Sequence, residues 1–199
     1  SQLLGIRALA AADDLDFEES EDGGSKRLQN DYDDRYAWLR HQGSLGNSLL
    51  VESGLSWTRI TRDRNGTETD DKGSFDIADE RRTDVVALSQ TWSLAPNTRH
   101  FLRWGGQLRD YDAAFDYRNR IEPEFELEGS WTATRDEENA YRGDQRSRHT
   151  EIWISDRFAR REALTVELGV RYDRHVLPDE ALWSPRASVA WSPTPAALA

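Results

Sequence analysis

The chain has 199 residues, 37% of them hydrophobic and 32% charged, with a formal net charge of -11. That acidic balance argues against a general nucleic-acid partner, whose affinity would rest on a basic surface, and the absence of cysteine removes disulfide frameworks and thiolate metal sites. No run of about 18 apolar residues occurs, which excludes a transmembrane helix but not barrel strands, which cross with about 9–11 residues, half of them polar.

The chain begins at Ser1 without an initiator methionine or a signal peptide, which suggests a piece of a longer polypeptide. Its opening run at 3–11 is ambiguous, and an acidic connection is expected at 18–31. Residues 36–41 are ambiguous again. The string SLGNS at 44–48 then reads as a tight turn. Val51, Leu55 and Trp57 form a short apolar stripe against Glu52, Gly54, Ser56 and Thr58, followed by a long polar connection at 64–75.

Val86, Leu88, Trp92 and Leu94 share a face that Gln90 interrupts, and APNT at 95–98 closes the run with a turn. Next, His100, Leu102, Trp104, Gly106 and Leu108 lie opposite Phe101, Arg103, Gly105, Gln107 and Arg109. The stretch 99–120 is long enough, at about 3.3 Å per residue, to cross a bilayer and continue as a wall outside it. After a long connection at 121–146, Ile152, Ile154 and Phe158 oppose Trp153, Ser155 and Arg157, with Asp156 spoiling the apolar face. A short connection is expected at 160–163.

The cleanest alternation is LTVELGVRYD at 164–173. Leu164, Val166, Leu168, Val170 and Tyr172 point one way, while Thr165, Glu167, Gly169, Arg171 and Asp173 point the other. Pro185, Ala187, Val189 and Trp191 then oppose Arg186, Ser188 and Ser192. A wholly apolar face against a charged one suits a barrel wall with lipid outside and a wet lumen inside. About eight strands with no helical pattern between them predict an all-β, antiparallel up-and-down meander, part of a large transmembrane β-barrel. Alternating short and long connections fit periplasmic turns and extracellular loops.

The strings LTVELGVRYDRH at 164–175 and SPRASVAWSPTP at 184–195 resemble the corresponding passage of TonB-dependent outer-membrane receptors, as do SQTW at 89–92 and RHFLRWGG at 99–106. The resemblance implies part of a barrel of about 22 strands with a plugged lumen. It also implies uptake, in the outer membrane of a Gram-negative bacterium, of a scarce nutrient such as a metal chelate (siderophore uptake), cobalamin or a glycan. Implied partners are outer-membrane lipid and lipopolysaccharide, a small nutrient ligand, and the TonB complex through an N-terminal region. The chain shows no TonB box, plug domain or closing strand with a terminal aromatic, so residues 1–199 are expected to be a fragment of the barrel domain. Alternatives are a soluble β-sandwich that binds carbohydrate or a protein partner, and a passive porin-like channel.

Arg103, Arg109, Arg157, Arg171 and Arg186 are candidate ligand-path residues, since a guanidinium fork pairs carboxylates of an anionic chelate. The competing reading pairs them with Glu52, Glu151, Glu167 and Asp173 on neighbouring strands. Trp57, Trp92, Trp104, Trp191 and Tyr172 are expected in interface girdles. Residues 63–71 (DRNGTETDD) offer oxygen ligands at calcium-like spacing but also ordinary turn chemistry. Acidic residues Asp31, Asp33 and Asp34, near Glu18, Glu19, Glu21 and Asp22, could hold cations or divalent-bridged lipopolysaccharide, or simply be hydrated. His41, His100, His149 and His175 lack ligand spacing, and no nucleophile or phosphate-loop signature occurs, so no metal, cofactor or enzymatic activity is expected.

Overall fold

The computed structural model describes residues 2–21, 23–127, 131–160 and 164–191. Eight strands follow one another across a single antiparallel sheet: β1 (Gln2–Glu21), β2 (Gly24–Leu45), β3 (Leu49–Asp70), β4 (Gly73–Leu94), β5 (His100–Leu127), β7 (Glu137–Arg160), β8 (Leu164–His175) and β9 (Glu180–Trp191). A short β6 (Trp131–Thr134) extends the far end of β5. Neighbours in sequence are neighbours in the sheet, the signature of a meander. The ambiguous runs at 3–11 and 36–41 are strand, paired with each other as Leu3↔Gln42 through Leu9↔Tyr36.

The connections expected to be long are folded differently. Residues 24–31 and 64–70 belong to continuous strands that pair almost to their tips, with Glu21↔Gly24 and Asp70↔Gly73 as the last rungs. Polar side chains favour this because a strand free on both faces can keep every charge in water while the ladder satisfies its backbone. The tips turn on glycine. Gly46, at φ 65°, sits in the short turn after β2, and Gly73 at φ 140° has the carbonyl oxygen of Glu122 2.1 Å from where a Cβ would lie. The short turns at 46–48 and 95–99 stand at the opposite end of the sheet, whereas residues 161–163 of the third expected turn lie outside the described residues.

One face carries a band of constant height. Its outward side chains occupy residues 4–12 of β1, 37–45 of β2, 49–57 of β3 and 86–94 of β4, then 100–108, 150–158, 164–172 and 183–191 of the later strands. Each segment has nine residues, five pointing outward, and most of those are apolar. Nothing in the described chain covers them, and Ile6, Ile152, Leu168 and Val189 are more than half exposed. The sandwich expectation fails here, because the described residues form one sheet with no second sheet packed on it.

The band is oblique to the strands. Following the register from β1 to β9, its upper border shifts by eight residues across seven strand gaps, and its lower border shifts in parallel. At about 3.3 Å per residue and about 4.8 Å per gap, that slant is about 38°. Barrel strands tilt by about 35–45°, and nine residues cut at this angle cover about 21 Å, close to the apolar height of about 25 Å on outer-membrane barrels. Two parallel borders are what a flat slab of hydrocarbon imposes on tilted strands.

Aromatic and polar residues mark the borders. Trp57 and Tyr172 stand at the upper edge, where Tyr172 meets Trp183 at 4.8 Å, and Trp191 stands at the lower edge. Trp92 and Trp104 lie inside the band as a parallel pair 6.1 Å apart. The two intrusions visible in the sequence have partners: Ser53 Oγ donates to Gln90 Oε1 at 2.6 Å, and His100 Nδ1 lies 2.9 Å from Asp156. Immediately above the border the outward positions become charged, with Arg59–Asp84 at 2.7 Å and Arg148–Asp110 at 2.6 Å.

A charge introduced at mid-band should therefore cost far more than one at the edge. For the full-length protein folded in lipid vesicles, Leu168→Arg is expected to lower the unfolding free energy by about 2–4 kcal/mol and Ala12→Arg by about 0–1 kcal/mol in denaturant titrations. Equal costs would remove the slab from that region.

Candidate functional site

Every residue opposite the band points to the other face, which the register makes polar and glycine-rich. Across β3, β4 and β5 it presents Glu52, Thr91 and Gly105 in one row and Gly54, Ser89 and Gln107 in the next. Gly105 permits the closest approach, since a Cβ there would sit 2.4 Å from the carbonyl oxygen of Gln90, and the Trp153 ring covers the vacancy. Two shallow grooves run along this face. The one over β1 to β5 measures about 580 Å³ and holds Arg40, whose Nη2 donates to Glu52 at 2.7 Å.

The second groove, of about 460 Å³ over β5 to β9, gathers Arg103, Arg157, Arg171 and Arg186. Four of the five arginines singled out in the sequence thus share one surface; Arg109 lies apart, opposite Ala87 and His149. Their electrostatic situations differ. Arg157 Nε donates to Glu167 at 3.2 Å, and Arg171 contacts Glu151 at 3.1 Å and Asp173 at 2.7 Å. Arg103 lies over the Trp153 ring at 5.3 Å. Arg103, Arg109 and Arg186, and Arg7 in the first groove, meet no carboxylate among the described residues; of these Arg103 is covered by the Trp153 ring, and Arg109 and Arg186 are among the cations this face leaves open.

Above the band the two faces exchange character. The outer face becomes a charged ladder, while the inner face gains Tyr32, Tyr111, Phe115, Tyr117 and Tyr141. Tyr36 and Trp38 are stacked, their ring centroids 5.8 Å apart and their planes 6° from parallel. Arg62 lies over Tyr32 at 4.8 Å and holds Asp34, whose second oxygen takes Nη2 at 3.3 Å, while Tyr36 donates to the same carboxylate at 3.3 Å. Hydrogen bonds from Arg62 hold the Asp34 carboxyl below its ordinary value. One row higher, buried Asp79 accepts from Arg64 at 3.2 Å and from Arg81 at 2.8 Å. At the border itself His149 Nε2 lies 3.1 Å from Asp173, and its ring stacks on His175 at 4.1 Å.

This aromatic and arginine wall is the part that sequence reading missed. The signal was present as the alternation Leu28, Asn30, Tyr32, Asp34, Tyr36, Trp38, but Asp31, Asp33 and Arg35 interleave with it and make the segment look like a loop. Register separates the acidic run as well, with Asp31 and Asp33 outward and Asp34 inward. It also splits the calcium-like ligand set between the two faces of β3. β3 runs through Asp70, so Asp63 and Glu68 lie on opposite faces of a strand and cannot converge on one ion.

A family profile described as "TonB dependent receptor-like, beta-barrel" matches residues 4–198. No curated protein sequence matches the chain. Among solved structures, a RagAB peptide transporter chain is 8% identical with a TM-score of 0.36, over 92% of this chain and 34% of that one. The siderophore receptor PirA from Pseudomonas aeruginosa is 13% identical with a TM-score of 0.26, over 95% of this chain and 40% of that one. The CymD monoaromatic hydrocarbon channel is 10% identical with a TM-score of 0.22, over 98% of this chain and 79% of that one. The chain therefore spans about a third of the peptide transporter chain.

The depressed Asp34 carboxyl fixes a pH dependence for the upper wall. Its ion pair stabilises the fold above the ordinary carboxylate value of 3.8 and is lost as pH falls through the lower folded value. Because the pair is partly solvent-exposed, Arg62→Ala should cost only about 0.5–1 kcal/mol at neutral pH, and the difference from wild type should shrink in unfolding titrations as pH falls below the ordinary carboxylate value.

Proposed function

The chain belongs to the TonB-dependent receptor β-barrel family, and on that premise we propose that it forms one wall of an outer-membrane active-transport receptor for a scarce nutrient. The observation that carries this reading is the slanted nine-residue band, backed by a mostly polar, glycine-rich inner face. Such a wall needs lipid on one side and water on the other. The long hairpins beyond the upper border face the cell exterior and the short turns face the periplasm, as in barrels of this kind.

In this reading the nutrient is a metal chelate, cobalamin or a glycan. It first meets the charge-paired rows around Asp79 and Asp34, then the Tyr36–Trp38 pair and Arg109 at the border, and descends towards the groove of Arg103, Arg157, Arg171 and Arg186. Aromatic faces supply stacking surface at small entropic cost, and a guanidinium without a carboxylate partner supplies a directional site for an anionic group. Movement through the lumen draws its energy from the TonB complex, and the wall performs no chemistry on its cargo.

The test uses the full-length parent in its own cell envelope. Outer-membrane fractionation should yield a protein whose electrophoretic mobility changes on heating, and growth on a limiting nutrient should require both this protein and TonB. A soluble, heat-indifferent protein would overturn the receptor reading. Uptake that persists without TonB would instead make it a passive channel. In the receptor, Arg186→Ala should raise the ligand concentration for half-maximal uptake by about threefold to tenfold if the cargo is anionic.

A further inference from the structure

The polar side chains that face outward inside the band fall into two groups. His100 and Thr150 end their segments at a border, and Asp156 is held by His100 beside the lower one, so headgroups and water are within reach of all three. His41, Ser53 and Gln90 are placed differently. Each is the middle residue of its nine-residue segment, and they stand side by side in one row across β2, β3 and β4.

At that depth only protein can satisfy them. Each border is about 10 Å away, and a polar group left in hydrocarbon without a partner is costly. Ser53 Oγ donates to Gln90 Oε1 at 2.6 Å, which leaves Gln90 Nε2 and the His41 ring without a hydrogen-bond partner among the described residues. Beyond Gln90 the same row continues to Gly106, where the missing side chain opens a recess of about 710 Å³ walled by Leu88, Trp104 and Ile152. An open donor thus stands beside a hollow. Lipid tails give membrane proteins no hydrophobic reason to associate, so their contacts rely on close packing and on hydrogen bonds, and this row offers both.

We propose that this lipid-facing surface of β3 to β5 binds a second copy of the chain, with a two-fold axis along the membrane normal passing through Gln90. The inference rests on the outer-membrane reading. Copies inserted in one membrane stand the same way up, so such an axis sets Gln90 against itself at its own depth. An amide suits that place because it carries a donor and an acceptor: Gln90 Nε2 of each copy reaches Oε1 of the other, on the lone pair that Ser53 leaves free. Strands tilted by about 38° cross at about 76° in this arrangement. At that angle Leu88, the next outward residue above Gln90 on β4, comes over Gly106 of the other copy and enters the recess. A different membrane protein would need its own amide and its own protruding side chain at these depths, whereas a second copy has both.

The experiment places the photo-crosslinking residue benzoylphenylalanine at Trp92, beside the axis, in the full-length protein, irradiates isolated outer membranes, and identifies the adducts by mass spectrometry. A species of twice the monomer mass that contains only this protein is expected. The same residue at Leu168, equally deep on β8, should give at least about fivefold less of it. In the Trp92 background Gln90→Leu should lower the yield by about fivefold or more, the change expected for loss of a reciprocal pair of intramembrane hydrogen bonds. Leu88→Ala, which empties the recess and leaves the amide in place, should lower it as well. Heat-modifiable mobility of each variant checks that the barrel is folded. Equal yields from the two positions, a yield that Gln90→Leu leaves unchanged, or an adduct with a different protein would overturn the proposal. A wild-type protein that is not a heat-modifiable outer-membrane protein fails the receptor reading itself, whereas a folded barrel that gives no dimer fails only this inference.

Discussion

A backbone amide inside hydrocarbon has no water to turn to, so each must find its partner in the protein, and the rest of this structure follows from that requirement. Between β1 and β9 the ladder is continuous, from Gln2↔Gly43 at one side to His175↔Glu180 at the other. Among the described residues the outer edges of β1 and β9 have no strand partner, and neither does the β8 side of β7 above His149; the first two edges cross the band, and in lipid they call for further strands. Once the backbone is committed to an extended ladder, side chains must alternate between the faces, and each face takes the composition of its own solvent.

The exchange of character at the upper border is a consequence of the same geometry. On β3, Val51, Leu55 and Trp57 face outward below the border, and Arg59, Thr61 and Asp63 face outward above it. The strand does not change its pleat there; the outer solvent changes from lipid to water. Inward positions lose their uniform polarity, from Glu52, Gly54 and Ser56 to a mixture in which Ile60 stands between Thr58 and Arg62, because above the membrane the inner face no longer has to be the wetter one. Aromatic rings can then gather on the inside without exposing apolar surface to a less favourable solvent than its outer counterpart meets.

Charge is handled by pairing across strands rather than by burial. Arg59–Asp84, Arg62–Asp34 and Arg157–Glu167 each join partly exposed groups, so each contributes little to stability alone. Their larger effect is positional. A guanidinium already held by a carboxylate is less available to an anionic ligand, and this is what separates Arg157 and Arg171 from Arg109 and Arg186 within a set that looks uniform in the sequence.

The alternation in residues 164–173 and 99–108 was legible because a period of two is a property of the strand itself, and composition alone determined that any membrane crossing would use strands. Strand order followed almost as directly, since a chain of hairpins leaves little topological choice. The extent of β2 and β3 beyond the membrane was not legible, because a solvated strand such as 28–36 has the polar composition of a loop. Register decided the remainder. Whether Arg171 meets Glu151, whether Gln90 finds Ser53, and whether Asp63 and Glu68 share a face depend on which residues stand opposite one another across strands far apart in the chain. The slant of the band is of the same kind, since it exists only in the comparison of neighbouring strands and is carried by no single one of them.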